Sequence, residues 1–246
     1  MLPDMLKNAP AFQYAYICGL KIFPVKGRYV AGVVLLIILA DQVLKFYIKT
    51  SYTIGEEHQL IGSWFRLHFV ENEGMAWGLK WGGDFGKLAL TLFRLVAVIF
   101  GTFLIRRFIR KKYHNGFIIC SALIYAGALG NLLDSMFYGL IFNESTFFSV
   151  ATLFPPEGGY TSFLHGKVVD MLYFPIVQST FPDWFPVWGG EPFEFFSPVF
   201  NLADASISCG VMTLLLFQNR FFPEKTTESA QTIVTDAPVD DKSQML

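Results

Sequence analysis

Four blocks of this chain, about Tyr29 to Ile48, Phe85 to Ile105, Gly116 to Phe137 and Phe200 to Phe217, are almost free of charge and dense in Leu, Ile, Val, Phe and Ala. Each is close to the ~20 apolar residues that a helix needs to cross the hydrocarbon of a bilayer. Lipid offers the backbone no hydrogen-bond partners, so a lone spanning segment must satisfy its own N–H and C=O groups, which an α-helix does. The pattern therefore predicts an α-helical integral membrane protein with four transmembrane helices.

Composition supports that reading. Charged residues make up 16% of the 246 and hydrophobic ones 53%, against about 25% charged in an ordinary soluble domain. Twenty-seven Phe and five Trp suit a chain that meets lipid and the headgroup layer. The net charge is −1, and no basic cluster is interleaved with aromatics, so no nucleic-acid partner is expected. Cys18, Cys120 and Cys209 have no zinc spacing and read as small apolar packing residues. His58, His68, His114 and His165 are scattered without ligand spacing, so no metal and no cofactor is expected. The first residues lack the compact apolar run of a cleavable signal peptide.

Basic residues set the orientation. Lys7, Lys21, Lys26 and Arg28 precede the first block; Arg106, Arg107, Arg110, Lys111 and Lys112 link the second and third; Arg220 and Lys225 follow the fourth. Between Gly139 and Val199 the one basic residue is Lys167. Both termini are thus expected in the cytoplasm, with the long loops, about 49–84 and 138–199, outside. The organisation that follows is a cytoplasmic leader, 1–28, a four-helix membrane domain, 29–220, and a disordered acidic tail, 221–246. Gln59 to Ile61 and the alternating Phe65 to Val70 predict strands of a small extracytoplasmic sheet. Phe181 to Trp188 reads as an aromatic segment dipping into the membrane interface.

Against this apolar background a few acids stand out. Asp170 lies in Gly166-Lys167-Val168-Val169-Asp170, read as a loop, and Asp204 in Phe200-Asn201-Leu202-Ala203-Asp204, at the mouth of the last block. An acid near hydrocarbon costs several kcal/mol unless paired, hydrated or protonated, which makes it a functional candidate. Two such acids together suggest a dyad sharing one proton, the chemistry of aspartic proteases. Asn201 with Asp204, and Asn131 with Asp134, are three apart and on a helix would share a face; Asp41 and Lys45 are four apart. Asp41 with Lys45 reads most simply as a structural ion pair, and Asn131 with Asp134 as supporting hydrogen-bond groups. Three helices thus carry polar faces at one depth.

In this order the motifs resemble the lipoprotein signal peptidase (signal peptidase II) family of intramembrane aspartyl endopeptidases. The matching pieces are Asp41-Gln42 with Lys45, Asn72-Glu73-Gly74-Met75-Ala76-Trp77-Gly78, Gly127 through Asp134, Gly166 through Asp170, and Phe200 through Asp204 with Ile207. The resemblance implies a catalytic dyad at Asp170 and Asp204. It implies contacts to the substrate and scissile bond from Asn72, Asn131 and Asn201, support from Asp134, and Gly74 in the motif after Asn72. It further implies a bacterial inner-membrane enzyme, expected monomeric, that cuts a prolipoprotein just before its diacylglyceryl-modified cysteine at the outer face. Membrane lipid and globomycin-type inhibitors are the other expected partners. The family usually has Arg directly after the aspartate matching Asp134; here it is Ser135, and Arg94 is the candidate to replace its contact. A small proton-coupled transporter using the same acids, or a non-catalytic scaffold, are the rival classes.

Overall fold

The computed structural model describes residues 25–73, 83–195 and 198–222. Three of its helices are long and apolar enough to cross a membrane. Helix α1 is Gly27–Ser51, α2 is Gly83–Arg110, and α3 begins as Asn115–Leu133. A π-helical turn, Asp134–Tyr138, and a last turn, Gly139–Ile141, carry α3 past the expected end at Phe137. The fourth apolar helix, α4, is Leu202–Leu216. At 1.5 Å per residue it is about 22 Å long, short of the ~30 Å hydrocarbon thickness. It starts later than the apolar block because Val199–Phe200 form a strand instead.

The predicted strands are present. β1 (Glu57–Ile61), β2 (Phe65–Asn72), β3 (Val168–Tyr173) and β6 (Val199–Phe200) form one antiparallel sheet in the order β1-β2-β3-β6. β4 (Val177–Thr180) and β5 (Pro192–Phe195) pair separately as a two-stranded sheet. Asp170 is on strand β3 rather than on the expected loop. Val168, Val169, Asp170 and Met171 are all buried, so this inner strand lacks the polar alternation of a half-exposed one.

Ile48, Tyr138 and Phe142 from α1 and the end of α3 pack with Leu67, Phe69, Val169 and Met171 of the sheet. That core seats the sheet on the helix ends. Away from it, Leu35, Leu36, Leu39 and Val43 of α1 and Phe93, Val96, Phe100 and Phe103 of α2 are exposed, the apolar faces expected to meet lipid. Lys87, Thr91 and Val98 of α2 are buried on the other side.

Small residues draw α3 and α4 together. A Cβ on Gly127 would collide with the carbonyl of Ala203 and lie 2.7 Å from Ile207 Cγ1; one on Gly210 would lie 2.8 Å from the Cys120 carbonyl. Such close backbone approach is how helices associate where burial alone gives little drive. All of these elements lie in one compact unit, Ile22–Leu216. The described part of a second unit, Phe217–Phe222, holds a single short helix, α5 (Gln218–Phe221).

Replacing Gly127 with Val should force α3 and α4 apart and cost about 1–3 kcal/mol, read as a lowered midpoint of thermal unfolding in detergent. Gly32→Ala, where a Cβ meets nothing within 4 Å, should leave the midpoint unchanged or raise it.

Candidate active site

The start of α4 is fixed by side chains. Asn201 lies ahead of the helix and its Oδ1 accepts the Asp204 N–H at 2.9 Å, while its own N–H reaches Asp204 Oδ2 at 3.4 Å. This is a reciprocal cap. It corrects the expectation that Asn201 and Asp204 project from one helical face: Asn201 is in the turn between β6 and α4. The Ala203 N–H, another helix-start donor, is taken at 2.9 Å by Asp41 Oδ1 from α1.

The cap leaves the Asn201 amide group free to donate elsewhere. Its Nδ2 donates to Asp170 Oδ1 at 2.7 Å and to Asn131 Oδ1 at 3.0 Å. Asn131 Nδ2 in turn donates to Asp204 Oδ1 at 2.7 Å. A chain of amides therefore runs from Asp170 through Asn201 and Asn131 to Asp204. Asn72, the last residue of β2, donates from Nδ2 to Asp170 Oδ2 at 3.2 Å. The β2–β3 register, with Val70 opposite Asp170 and Asn72 opposite Val168, brings it there. Leu172 opposite Phe200 likewise delivers Asn201 beside β3.

Beneath this chain Lys45 is wholly buried and uses each of its three donors. Nζ lies 2.9 Å from Asp41 Oδ2, 2.8 Å from Asp134 Oδ2 and 2.9 Å from Asn131 Oδ1. The Asp41–Lys45 ion pair is thus present, and it also reaches α3. Gln42 joins it: Nε2 donates to Asp134 Oδ1 at 2.8 Å and Oε1 accepts from Tyr138 Oη at 3.1 Å. Gln42 and Tyr138 were not among the site residues read from the sequence. The signals were present, Gln42 beside Asp41 and Tyr138 four residues after Asp134, but their convergence depends on helix packing.

The π turn links α3 to β3. Ser135 O accepts the Gly166 N–H at 2.9 Å, and Asp134 Oδ2 accepts the Val169 N–H at 3.4 Å. Such turns recur at functional sites. Arg94 Nη1 donates to Ser135 Oγ at 3.2 Å, and that hydroxyl donates to Asn131 O at 3.0 Å. An α2 cation thus meets the Ser135 hydroxyl.

The two aspartates differ in setting. Asp170 is 3% exposed, whereas Asp204 is half-buried. Burial, and next the charge of Asp204, push the Asp170 carboxyl up to about 7 against the opposing bonds from Asn72 and Asn201. A carboxyl near 7 keeps a proton available at neutral pH. Of the residues named from the sequence, Asp41, Lys45, Asn72, Asn131, Asp134, Asp170, Asn201 and Asp204 come together; Gly74 lies outside the described residues.

Residues 33–220 match the family model described as signal peptidase (SPase) II. A lipoprotein signal peptidase of Porphyromonas gingivalis (strain ATCC 33277) is 45% identical over 217 residues, covering 84% of this chain and 94% of that protein. One of Amoebophilus asiaticus is 32% identical, covering 84% of each. A bacterial membrane enzyme solved by the in meso method at 2.3 Å resolution aligns with a TM-score of 0.51 at 22% identity, covering 81% of this chain and 93% of that one. That last likeness speaks for the fold.

Lys45→Met would strand two buried carboxylates, Asp41 and Asp134, and should cost about 3–5 kcal/mol in detergent unfolding. Adding Asp134→Asn to that variant should recover part of the loss, since one buried charge is then removed.

Proposed function

This chain belongs to the signal peptidase II family, and from that premise we propose that it removes the signal peptide of bacterial prolipoproteins with Asp170 and Asp204 as its catalytic pair. The supporting observation is the pairing of a buried Asp170, pushed up to about 7, with a half-open Asp204 through Asn201 and Asn131. Two carboxyls in mutual electrostatic reach share one proton more readily than they both ionise.

Asp170, the more buried member, holds that proton. Asp204, the more open member, accepts a proton from a water as it attacks the scissile carbonyl carbon. Asp170 hydrogen-bonds the carbonyl oxygen as negative charge develops there. Collapse of the tetrahedral adduct breaks the C–N bond, and the proton taken up by Asp204 passes to the leaving amine. Asn131 and Asn201 hold the two carboxyls without adding charge. Asn72 steadies Asp170 and faces the substrate side, with Gly74 following it in the motif.

The cut falls just before the diacylglyceryl-modified cysteine, whose acyl chains lie among the exposed apolar helix faces. In the membrane α4 serves as the fourth span, and the sheet rests on the outer surface. Both termini are cytoplasmic, consistent with Arg106, Arg107, Arg110, Lys111 and Lys112 on the link between α2 and α3. The enzyme works as a monomer, and globomycin-type inhibitors occupy the same site. Residues 29–220 make up the peptidase domain; of the leader and tail expected on either side, residues 25–28 and 221–222 are among those described.

Asp170→Asn and Asp204→Asn should each lower cleavage of a diacylglyceryl-modified prolipoprotein by about 10²–10⁴-fold, followed as a gel mobility shift, with membrane insertion unchanged. Full activity in either variant would refute the pair. The pH profile supplies a separate check. Asp170 acts in its protonated form, so kcat should fall as pH rises through about 7. A rate that stays flat from pH 6 to about 9 would remove Asp170 from the acid role.

A further inference from the structure

Asn72 is the last residue of β2, and strand ends are where pairing opens most readily. Its two neighbours, however, are each held by a buried lysine from a different helix. On one side the Glu71 carboxylate forms an ion pair with Lys49 Nζ of α1, side chains 3% and 1% exposed. Ser145 completes that cluster, accepting from Lys49 Nζ at 2.9 Å and donating to Glu71 Oε1 at 2.9 Å. Lys167, three residues before Asp170, lies 3.5 Å from the other Glu71 oxygen. On the other side Lys87 Nζ of α2, itself buried, donates to the Glu73 carbonyl at 2.9 Å.

Burying an ammonium group costs several kcal/mol, and well-packed apolar side chains often stabilise as much or more. Two such groups flanking one residue therefore point to a geometric task. Successive strand residues face opposite sides, so anchoring Glu71 beneath the sheet directs Asn72 to the side that carries Asp170. Holding the Glu73 carbonyl stops the backbone from rotating Asn72 away.

We propose that Lys49 and Lys87 are positioning residues, which clamp the backbone on either side of Asn72 and thereby keep its amide aimed at Asp170. The inference rests on the catalytic reading above and adds two residues to it. A misplacement of about 1 Å can cost about 10²-fold in rate, so Lys87→Met should lower kcat by about 10- to 100-fold, chiefly without raising KM. Lys87→Arg, which keeps a donor, should retain more activity than Lys87→Met.

The deciding experiment is a double-mutant cycle in the full-length protein, scored on prolipoprotein cleavage. If Lys87 acts through Asn72, then Lys87→Met should cause almost no further loss in an Asn72→Ala background. The same proportional loss in both backgrounds would overturn the clamp while leaving the aspartate pair standing. An Asn72→Ala variant with full activity would overturn both the clamp and the role given to Asn72. Thermal unfolding in detergent reports whether each variant folds. If Lys87→Met does not, the paired change Lys49→Met with Glu71→Gln, which removes both buried charges together, replaces it in the same cycle with the same expected non-additivity.

Discussion

The buried ammonium group of Lys45 organises this molecule. Lys45 lies among Asp41, Asp134 and Asn131 with its three donors spoken for. Such an arrangement adds little net stability over packed hydrocarbon, because desolvating the charges offsets their attraction. What it supplies is registry. Asp41 belongs to α1, and Asp134 and Asn131 to α3, so a slide or rotation of either helix would strand a charge where water is scarce. The same residues then reach outward. Asp41 takes a helix-start N–H of α4, Asp134 takes the Val169 N–H of β3, and Asn131 touches both Asn201 and Asp204.

From that registry the difference between the two aspartates follows. Asp170 comes in on a strand buried on both faces, while Asp204 stands in the first turn of a helix and keeps part of its surface open. Neutral amides bridge them, so the link between the two carboxyls contains no further acid. Lys45 touches neither Asp170 nor Asp204 directly in the bonds described, and its charge is matched by Asp41 and Asp134.

Much of the site was legible because charge is rare in the membrane blocks. Asp41, Lys45, Asn131, Asp134 and Asp204 stand out against Leu, Ile and Phe, and their helical spacing places them near helix ends. Asp170 was legible as a residue but not as a strand position: a buried inner strand shows no polar alternation, and Gly166 ahead of it reads as a loop. Asn201 was assigned to the wrong element for a related reason. Asn-x-x-Asp fits one helical face and a helix cap equally well, and only the pairing of Phe200 with Leu172 decides for the cap. Lys49, Glu71 and Lys87 gave no usable signal, since a lysine or glutamate near a membrane boundary looks like any solvated charge.

The amino-acid sequence by itself determined that the chain is helical and membrane-embedded, because long apolar blocks admit no other way to satisfy the backbone in lipid. It also marked a few polar residues as candidates for the chemistry, because each is costly in that setting. Tertiary structure alone decided how those residues meet. Asp170 and Asp204 are separated by the β4–β5 excursion, and their approach depends on strand register, on the π turn of α3 and on the glycines that let α3 and α4 touch. Those are matters of packing between distant segments, which local spacing along a chain does not encode.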